Sequence, residues 1–297
     1  MTGTRYFDLA PMDAPVGAEV SGLDLAQPQE AGAIELLRQA LDEHGVLRFR
    51  GQNLSDEHLM QFSRHFGTLD LNPGYAVPTL GVAPEESADS ASETRKYVAV
   101  ISNVIENGVL IGGLGDGEAV WHADMTYVSA PPAACLLYAL EVPPSGGNTG
   151  FLSLAHAYET LDPELRARLD KLQLKHDATY NSAGELRRGV VERSDPRHTP
   201  GRVHSLVVTH PRSGRKMLLL GRRRNAYLIG LDLDESNALL DAIWAHVTQT
   251  KNTWYQQWKV GDVIFWDNLA TMHRRDPFPS DSRRIMHRTQ ILGTELH

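Results

Sequence analysis

Apolar residues along this 297-residue chain recur in two periods, and the switches between them mark the elements. Residues 17–25 alternate apolar and polar as a strand does, whereas Ile34, Leu37 and Leu41 return at helical spacing. Alternation resumes at 46–50. Ser55 then caps a helix whose Leu59, Phe62 and Phe66 form one stripe, with Gly67 as its stop. Residues 98–102 read as a strand. Asp162-Pro163-Glu164 starts a helix with proline at its first position, and Asp234 opens another carrying Leu239, Leu240, Ile243 and Val247. Short runs at 205–209, 216–220, 263–266 and 285–292 read as strands. Many short strands with few helices predict a mainly β fold with flanking helices, a sandwich or barrel. No repeat or linker divides the chain, so one domain spans residues 1–297.

The stretch 73–117 breaks the pattern. Residues 84–96 are polar and poor in apolar side chains, which predicts a mobile surface loop within a lid-like insertion. Gly112, Gly113, Gly115 and Gly117 follow it, but no amphipathic helix and no Lys-Ser or Lys-Thr pair comes next, so a nucleotide-phosphate loop is excluded.

A composition of 41% hydrophobic and 22% charged residues is that of an ordinary soluble globular protein. The first residues have no basic-led apolar run, and no uninterrupted run of about 18 apolar residues occurs, so the expected location is cytoplasmic, away from the membrane. A net charge of −8 disfavours a nucleic-acid partner, whose phosphates need neutralising. Local arginine clusters remain candidates for small anions: Arg222-Arg223-Arg224, Arg274-Arg275, and Arg283-Arg284 with Arg288. Thirteen histidines stand against one cysteine, Cys135, which excludes an intramolecular disulfide and cysteine-rich zinc or iron–sulfur sites.

Chemistry enters at 120–128, where His122-Ala123-Asp124 lies in a run compatible with a strand. Residues two apart on a strand share a face, so imidazole and carboxylate would converge. The spacing alone is weak, because 13 histidines and 37 acids in 297 residues give roughly one or two such pairs by chance. A distant third ligand is offered by His273, after a strand ending near Trp266 and a polar turn at Asp267-Asn268. Two histidines and a carboxylate form the facial triad of Fe(II) sites; a zinc hydrolase would use the same donors. Arg284 and Arg288, four apart, share one face of a strand, and a guanidinium fork holds a carboxylate by two parallel hydrogen bonds.

These pieces resemble, in order and over most of the chain, the taurine dioxygenase family of Fe(II)- and 2-oxoglutarate-dependent oxygenases, which also contains phenoxyalkanoate dioxygenases. Those that match are the 17–25 segment, Phe66-Gly67, Trp121-His-Ala-Asp, Pro131-Pro-Ala, Pro144-Ser-Gly-Gly-Asn-Thr149, Thr209-His-Pro, Trp266-Asp-Asn, His273 and Arg283-Arg-Ile-Met-His-Arg288. The resemblance implies a double-stranded β-helix, a cupin-like jelly-roll, with His122, Asp124 and His273 as iron ligands and Thr149 and Arg284 on the distal carboxylate of 2-oxoglutarate. Arg288 would meet an acidic group of the prime substrate, and Tyr75 and Asn72 fall at substrate-facing positions. The reaction implied couples O2-dependent decarboxylation of 2-oxoglutarate, to succinate and CO2, with hydroxylation of a C–H bond in a small anionic molecule: a sulfonate, an aryloxyalkanoate or another carboxylate. Dimers or tetramers are implied. Asn72 replaces a sulfonate-binding histidine of the taurine enzyme and the segment before Trp121 is longer, so both departures point away from taurine itself. Asp124 argues against a halogenase. The competing readings are a zinc-dependent hydrolase on the same triad and a jelly-roll binding protein without catalysis.

Overall fold

In the computed structural model, residues 2–3, 5–72, 90–187 and 189–296 are described. Two antiparallel-rich sheets lie face to face. The larger places strands Val46–Phe49, Val263–Asp267, Ala134–Glu141 and Ile285–Ile291 side by side at its centre. The smaller has the order Thr253–Gln256, Thr149–Ser153, Thr271–Arg275, Ala119–His122. Such paired sheets are the expected jelly-roll with flanking helices.

Period-2 alternation decides which side chain enters which layer. On one face of the larger sheet Leu47, Phe49, Leu136 and Phe265 meet Ile34, Leu37 and Leu41 of helix Ala31–His44 and Leu59 and Phe62 of helix Asp56–Arg64. The other face sends Cys135, Leu137, Ile264, Trp266 and Met286 against Phe151 of the smaller sheet. Beyond the smaller sheet, helix Leu233–Val247 packs Leu240, Ile243 and Val247 on Leu152 and Met272. All of these side chains are buried, and each large one stabilises the fold by about 1.5–3 kcal/mol relative to exposure.

Ser55 caps its helix as expected, in a reciprocal box with His58. The second long helix is capped by Asp232, two residues earlier than expected. Helix Ser90–Tyr97 covers the end of the stretch expected to be a loop: Ala, Glu, Arg and Lys are good helix formers even where no apolar stripe advertises them. The rest of that stretch, and Tyr75 with it, lies outside the described residues. Between 99 and 114 the insertion is not irregular, since Ala99–Ser102 and Gly113–Leu114 extend the larger sheet. Among the described residues no helix is long and apolar enough to cross a membrane.

Candidate active site

The last strand shows how alternation builds the site. Its odd positions face helix Asp56–Arg64: His287 Nδ1 lies 2.5 Å from Asp56 Oδ1, and Thr289 Oγ1 2.7 Å from Ser63 Oγ. Even positions point between the sheets, where Met286 joins the core and Arg284 and Arg288 line a pocket. The shared face predicted for the two arginines is therefore present.

His122 ends its strand, and Asp124 lies in the turn beyond rather than on a continuing strand. The turn is tight enough to give Met125 a φ of 52°, and it still brings His122 Nε2 within 3.5 Å of Asp124 Oδ1. A β-bulge between His122↔His273 and Ala119↔Arg275 re-aims the strand end, so that Ala119 and His122 both line the pocket. His273 comes from mid-strand, its ring centroid 4.2 Å from that of His122. Donor atoms of His122, Asp124 and His273 all lie within 4.8 Å of one another, a separation one metal ion spans.

The surroundings set protonation. A carbonyl only accepts, so His122 donates Nδ1–H to Val120 O at 2.7 Å, and Nε2 is the nitrogen that faces the cluster. Burial, reinforced by neighbouring positive charge, pushes the His273 pKa down to about 3, so its imidazole is neutral near pH 7, the form a metal needs. Burial disfavours the Asp124 carboxylate, but Arg288, whose Nη1 is 3.1 Å from Oδ2, together with the two histidines holds its pKa well below the usual range. Asn268 clamps the backbone of Asp124 from both sides, accepting from its N–H at 2.7 Å and donating to its carbonyl at 2.9 Å. Cys135, buried in its strand, has Sγ 3.8 Å from Asp124 Oδ2.

The cluster lies at a pocket of about 60 Å³ whose lining also includes Thr149, Phe151, Trp266, Arg275 and Arg284. Arg284 is 1% exposed, and among the described residues its Nε and Nη1 have no hydrogen-bond partner. A buried guanidinium left this way is costly, and a carboxylate is its natural complement. Burial and the nearby Arg275 bring its pKa down to about 9. Gly147, at φ +64°, lets the Gly146-Gly147 turn approach Phe278 and Arg284, where a Cβ would meet both. Thr149 Oγ1 accepts from Trp258 Nε1 at 3.0 Å. The donor set suits Fe(II), and the orphaned arginine suits an anionic co-substrate bound beside it.

Outward, beyond Asp124 and Arg288, opens a chamber of about 680 Å³. Asn72 is on its wall, its side-chain amide donating to Val98 O at 3.2 Å. Arg288 borders both spaces and also donates to Gln290 Oε1 at 3.4 Å. Sequence reasoning assigned no role to Asn268 or to the Trp258–Thr149 contact, and it named Arg275 only within a cluster of anion candidates; Arg275 donates to the carbonyls of Leu114 and Gly117. Asn268 had a visible signal, its place in the polar turn before His273.

A second cluster, Asp42, His210 and Asp267, also brings donor atoms within 4.8 Å. Its atoms are already engaged. His210 Nδ1 accepts from Ser213 N at 3.1 Å, its Nε2 meets Asp267 Oδ2 at 3.0 Å, and Asp42 pairs with Arg212 at 2.6 Å. Asp267 Oδ1 meanwhile accepts from Leu269 N and Ala270 N, pinning the turn that carries Asn268 and leads to His273.

A family model described as "Taurine catabolism dioxygenase TauD, TfdA family" matches residues 6–290. The (S)-phenoxypropionate/alpha-ketoglutarate-dioxygenase of Sphingobium herbicidovorans is 32% identical, over 97% of this chain and 95% of its own. The alpha-ketoglutarate-dependent sulfate ester dioxygenase of Pseudomonas putida is 31% identical, over 96% of this chain and 89% of its own. The crystal structure of AAD-2 in complex with Mn(II) and N-oxalylglycine superposes with a TM-score of 0.77 at 28% identity, covering 98% of each chain.

Proposed function

We propose, for a chain that belongs to the taurine catabolism dioxygenase TauD, TfdA family and is thus an Fe(II)- and 2-oxoglutarate-dependent dioxygenase, a role for each residue of the two spaces just described. His122, Asp124 and His273 hold the iron, and Arg284 with Thr149 takes the distal carboxylate of 2-oxoglutarate. When bound, the iron and co-substrate supply the oxidising power that O2 alone delivers too slowly. The protein's share is placement. His122 is held by its bond to Val120 and Asp124 by Asn268, so two ligands need little reordering to bind metal. Arg284 offers a charge already stripped of water, so the carboxylate it meets replaces no hydration.

The prime substrate is a small organic anion in the outer chamber. Among the described residues Arg95, Arg187, Arg222 and Arg288 line it against Asp124 and Glu185, an excess of positive charge within a protein of net charge −8. Arg288 steadies Asp124 and faces this substrate. The wall formed by residues 95–114, with Asn72, is the part of the insertion nearest it. The protein is read as a cytoplasmic homo-oligomer, dimer or tetramer, and sedimentation velocity tests that state.

The observation that carries the reading is Arg284, buried with unpartnered donors in the same pocket as the His–Asp–His cluster. Binding of a metal alone, as in a zinc hydrolase, leaves that guanidinium unexplained. The test is succinate release from 2-oxoglutarate by the Fe(II)-loaded protein across a panel of small sulfonates, aryloxyalkanoates and amino acids. It is expected to require Fe(II), O2 and 2-oxoglutarate together. Turnover under anaerobic conditions, or with zinc alone, would favour the hydrolase.

A further inference from the structure

The run Arg222-Arg223-Arg224 divides its three charges. Arg223 pairs with Asp241 at 2.7 Å, and Arg224 lies over the Tyr180 ring. Arg222 turns to the outer chamber. Its Nε is buried without a hydrogen-bond partner, and among the described residues no carboxylate pairs with it. What places it is Gly221: a Cβ there would strike Thr126 Oγ1 and His176 Nδ1, so only glycine lets the chain settle against that pair, which is itself joined at 3.0 Å. The next residue after Thr126, Tyr127, also lines the chamber. Its ring carries Arg187 at 4.5 Å from the centroid and Arg222 at 5.9 Å.

We propose that Arg222, with Arg187 beside it over Tyr127, is the anion subsite of the outer chamber, where it binds the carboxylate or sulfonate of a substrate whose apolar body lies along the Tyr127 ring. The inference rests on the reading that an anionic prime substrate occupies this chamber, and it adds the group that recognises it. Arg288 by itself is a poor anchor because its charge is already shared with Asp124 at 3.1 Å. Arg222 has no such commitment, and it is close enough to the cluster for its charge to act on both Asp124 and His273. Burial, then the adjacent Arg187, disfavour the charged form of Arg222, with Asp124 a partial offset. Two guanidinium groups crowding one ring, with no carboxylate paired to either among the described residues, are relieved by an anion between them. A fork of planar donors suits both carboxylate and sulfonate, whereas a neutral amide offers it no charge.

The experiment is calorimetric titration of protein loaded with Mn(II) and N-oxalylglycine, using phenoxyacetate, benzenesulfonate and the neutral phenoxyacetamide as probes. Wild-type protein is expected to bind at least one anion about tenfold or more tightly than the amide, with affinity falling as salt rises. Arg222→Gln should lose about tenfold or more for that anion and leave phenoxyacetamide unchanged, and Arg222→Lys should recover part of the loss. Arg187→Gln should lose a few-fold. A preference for phenoxyacetate over benzenesulfonate, or the reverse, identifies which acid the fork fits. The proposal is overturned if Arg222→Gln binds the anions as wild type does, if it loses anion and amide alike, or if wild-type protein does not distinguish them. Because this titration needs no turnover, it stands apart from the reaction-class reading. Wild-type protein that binds anions through Arg222 but releases no succinate with Fe(II) would sink that earlier reading alone.

Discussion

The inner pocket and the outer chamber meet at Asp124 and Arg288, yet they are built from different material. Strands supply the inner one: His122, Thr149, His273 and, one residue before its strand, Arg284 come from four neighbouring or facing strands. Their positions are fixed by ladder pairs such as Phe151↔His273 and His273↔His122. The chamber outside is walled by a helix end at Arg95, the strand Ala99–Ser102, short segments at 111–114 and 125–127, and the loop around 181–187, with Arg288 reaching it from the last strand. Reaction chemistry tolerates little error in placement and so belongs on the sheets, whereas the choice of substrate is made on elements that vary without disturbing the core.

If that division is real, the largest effects lie on the inner side. His273→Ala removes a proposed ligand from mid-strand. Succinate formation from 2-oxoglutarate is expected to fall by about a thousandfold or more. The fold should survive, because the change leaves a small polar-lined space at an existing pocket. Substantial iron-dependent turnover by a folded His273→Ala protein would break the comparison at its centre.

Next in size is the far end of the same pocket. Arg284→Leu should raise the KM for 2-oxoglutarate about a hundredfold while leaving the prime substrate's KM nearly unchanged, as one charged, buried hydrogen-bonding pair is lost. Acidity supplies a second check on the same residue. With its pKa near 9, Arg284 is charged below that pH and loses its proton above it, so 2-oxoglutarate affinity should weaken as pH climbs past about 9. The sign for stability is opposite. The folded pKa lies below the ordinary arginine value, so the unfolded chain holds this proton more tightly, and Arg284's contribution to stability should rise as pH climbs above about 9. A KM for 2-oxoglutarate that stays flat to pH 10 would mean that another cation holds the carboxylate.

The same contrast governs what was legible in the sequence. Strand alternation is a local rule, so the shared face of Arg284 and Arg288 followed from their spacing alone. His122 and Asp124 converge as expected but by another route: the strand stops at His122, and the turn at Asp124–Met125 closes the distance. Periodicity carries no information about where a strand yields to a turn when the flanking residues are equally apolar. The arginine runs were visible as anion candidates, and spacing from Arg288 singled out Arg284, but not which member of the other two runs turns inward. In each run a neighbour is paired outside, Arg223 with Asp241, Arg274 with Glu118 and Arg283 with Glu141, while Arg222, Arg275 and Arg284 point in. For Arg222 and Arg275 burial did the sorting and spacing did not. The helix over Ser90–Tyr97 was missed for a related reason, since it has hardly any apolar stripe to reveal it.

The smallest effect expected is at Asn72, and it probes the outer wall most directly. Its side-chain amide donates to Val98 O and its backbone N–H to Lys96 O, so it ties the end of the first 72 residues to the far side of the insertion. If the chamber wall acts mainly through shape, Asn72→Ala should cost about 0.5–1.5 kcal/mol of stability, the loss of one neutral hydrogen bond, readable as a lower denaturant midpoint. The KM of the prime substrate should then move only a few-fold, and the KM for 2-oxoglutarate not at all. A change of tenfold or more in 2-oxoglutarate binding would mean that the outer wall is coupled to the inner pocket through Val98 and the adjoining strand Ala99–Ser102, and the two spaces would have to be treated as one.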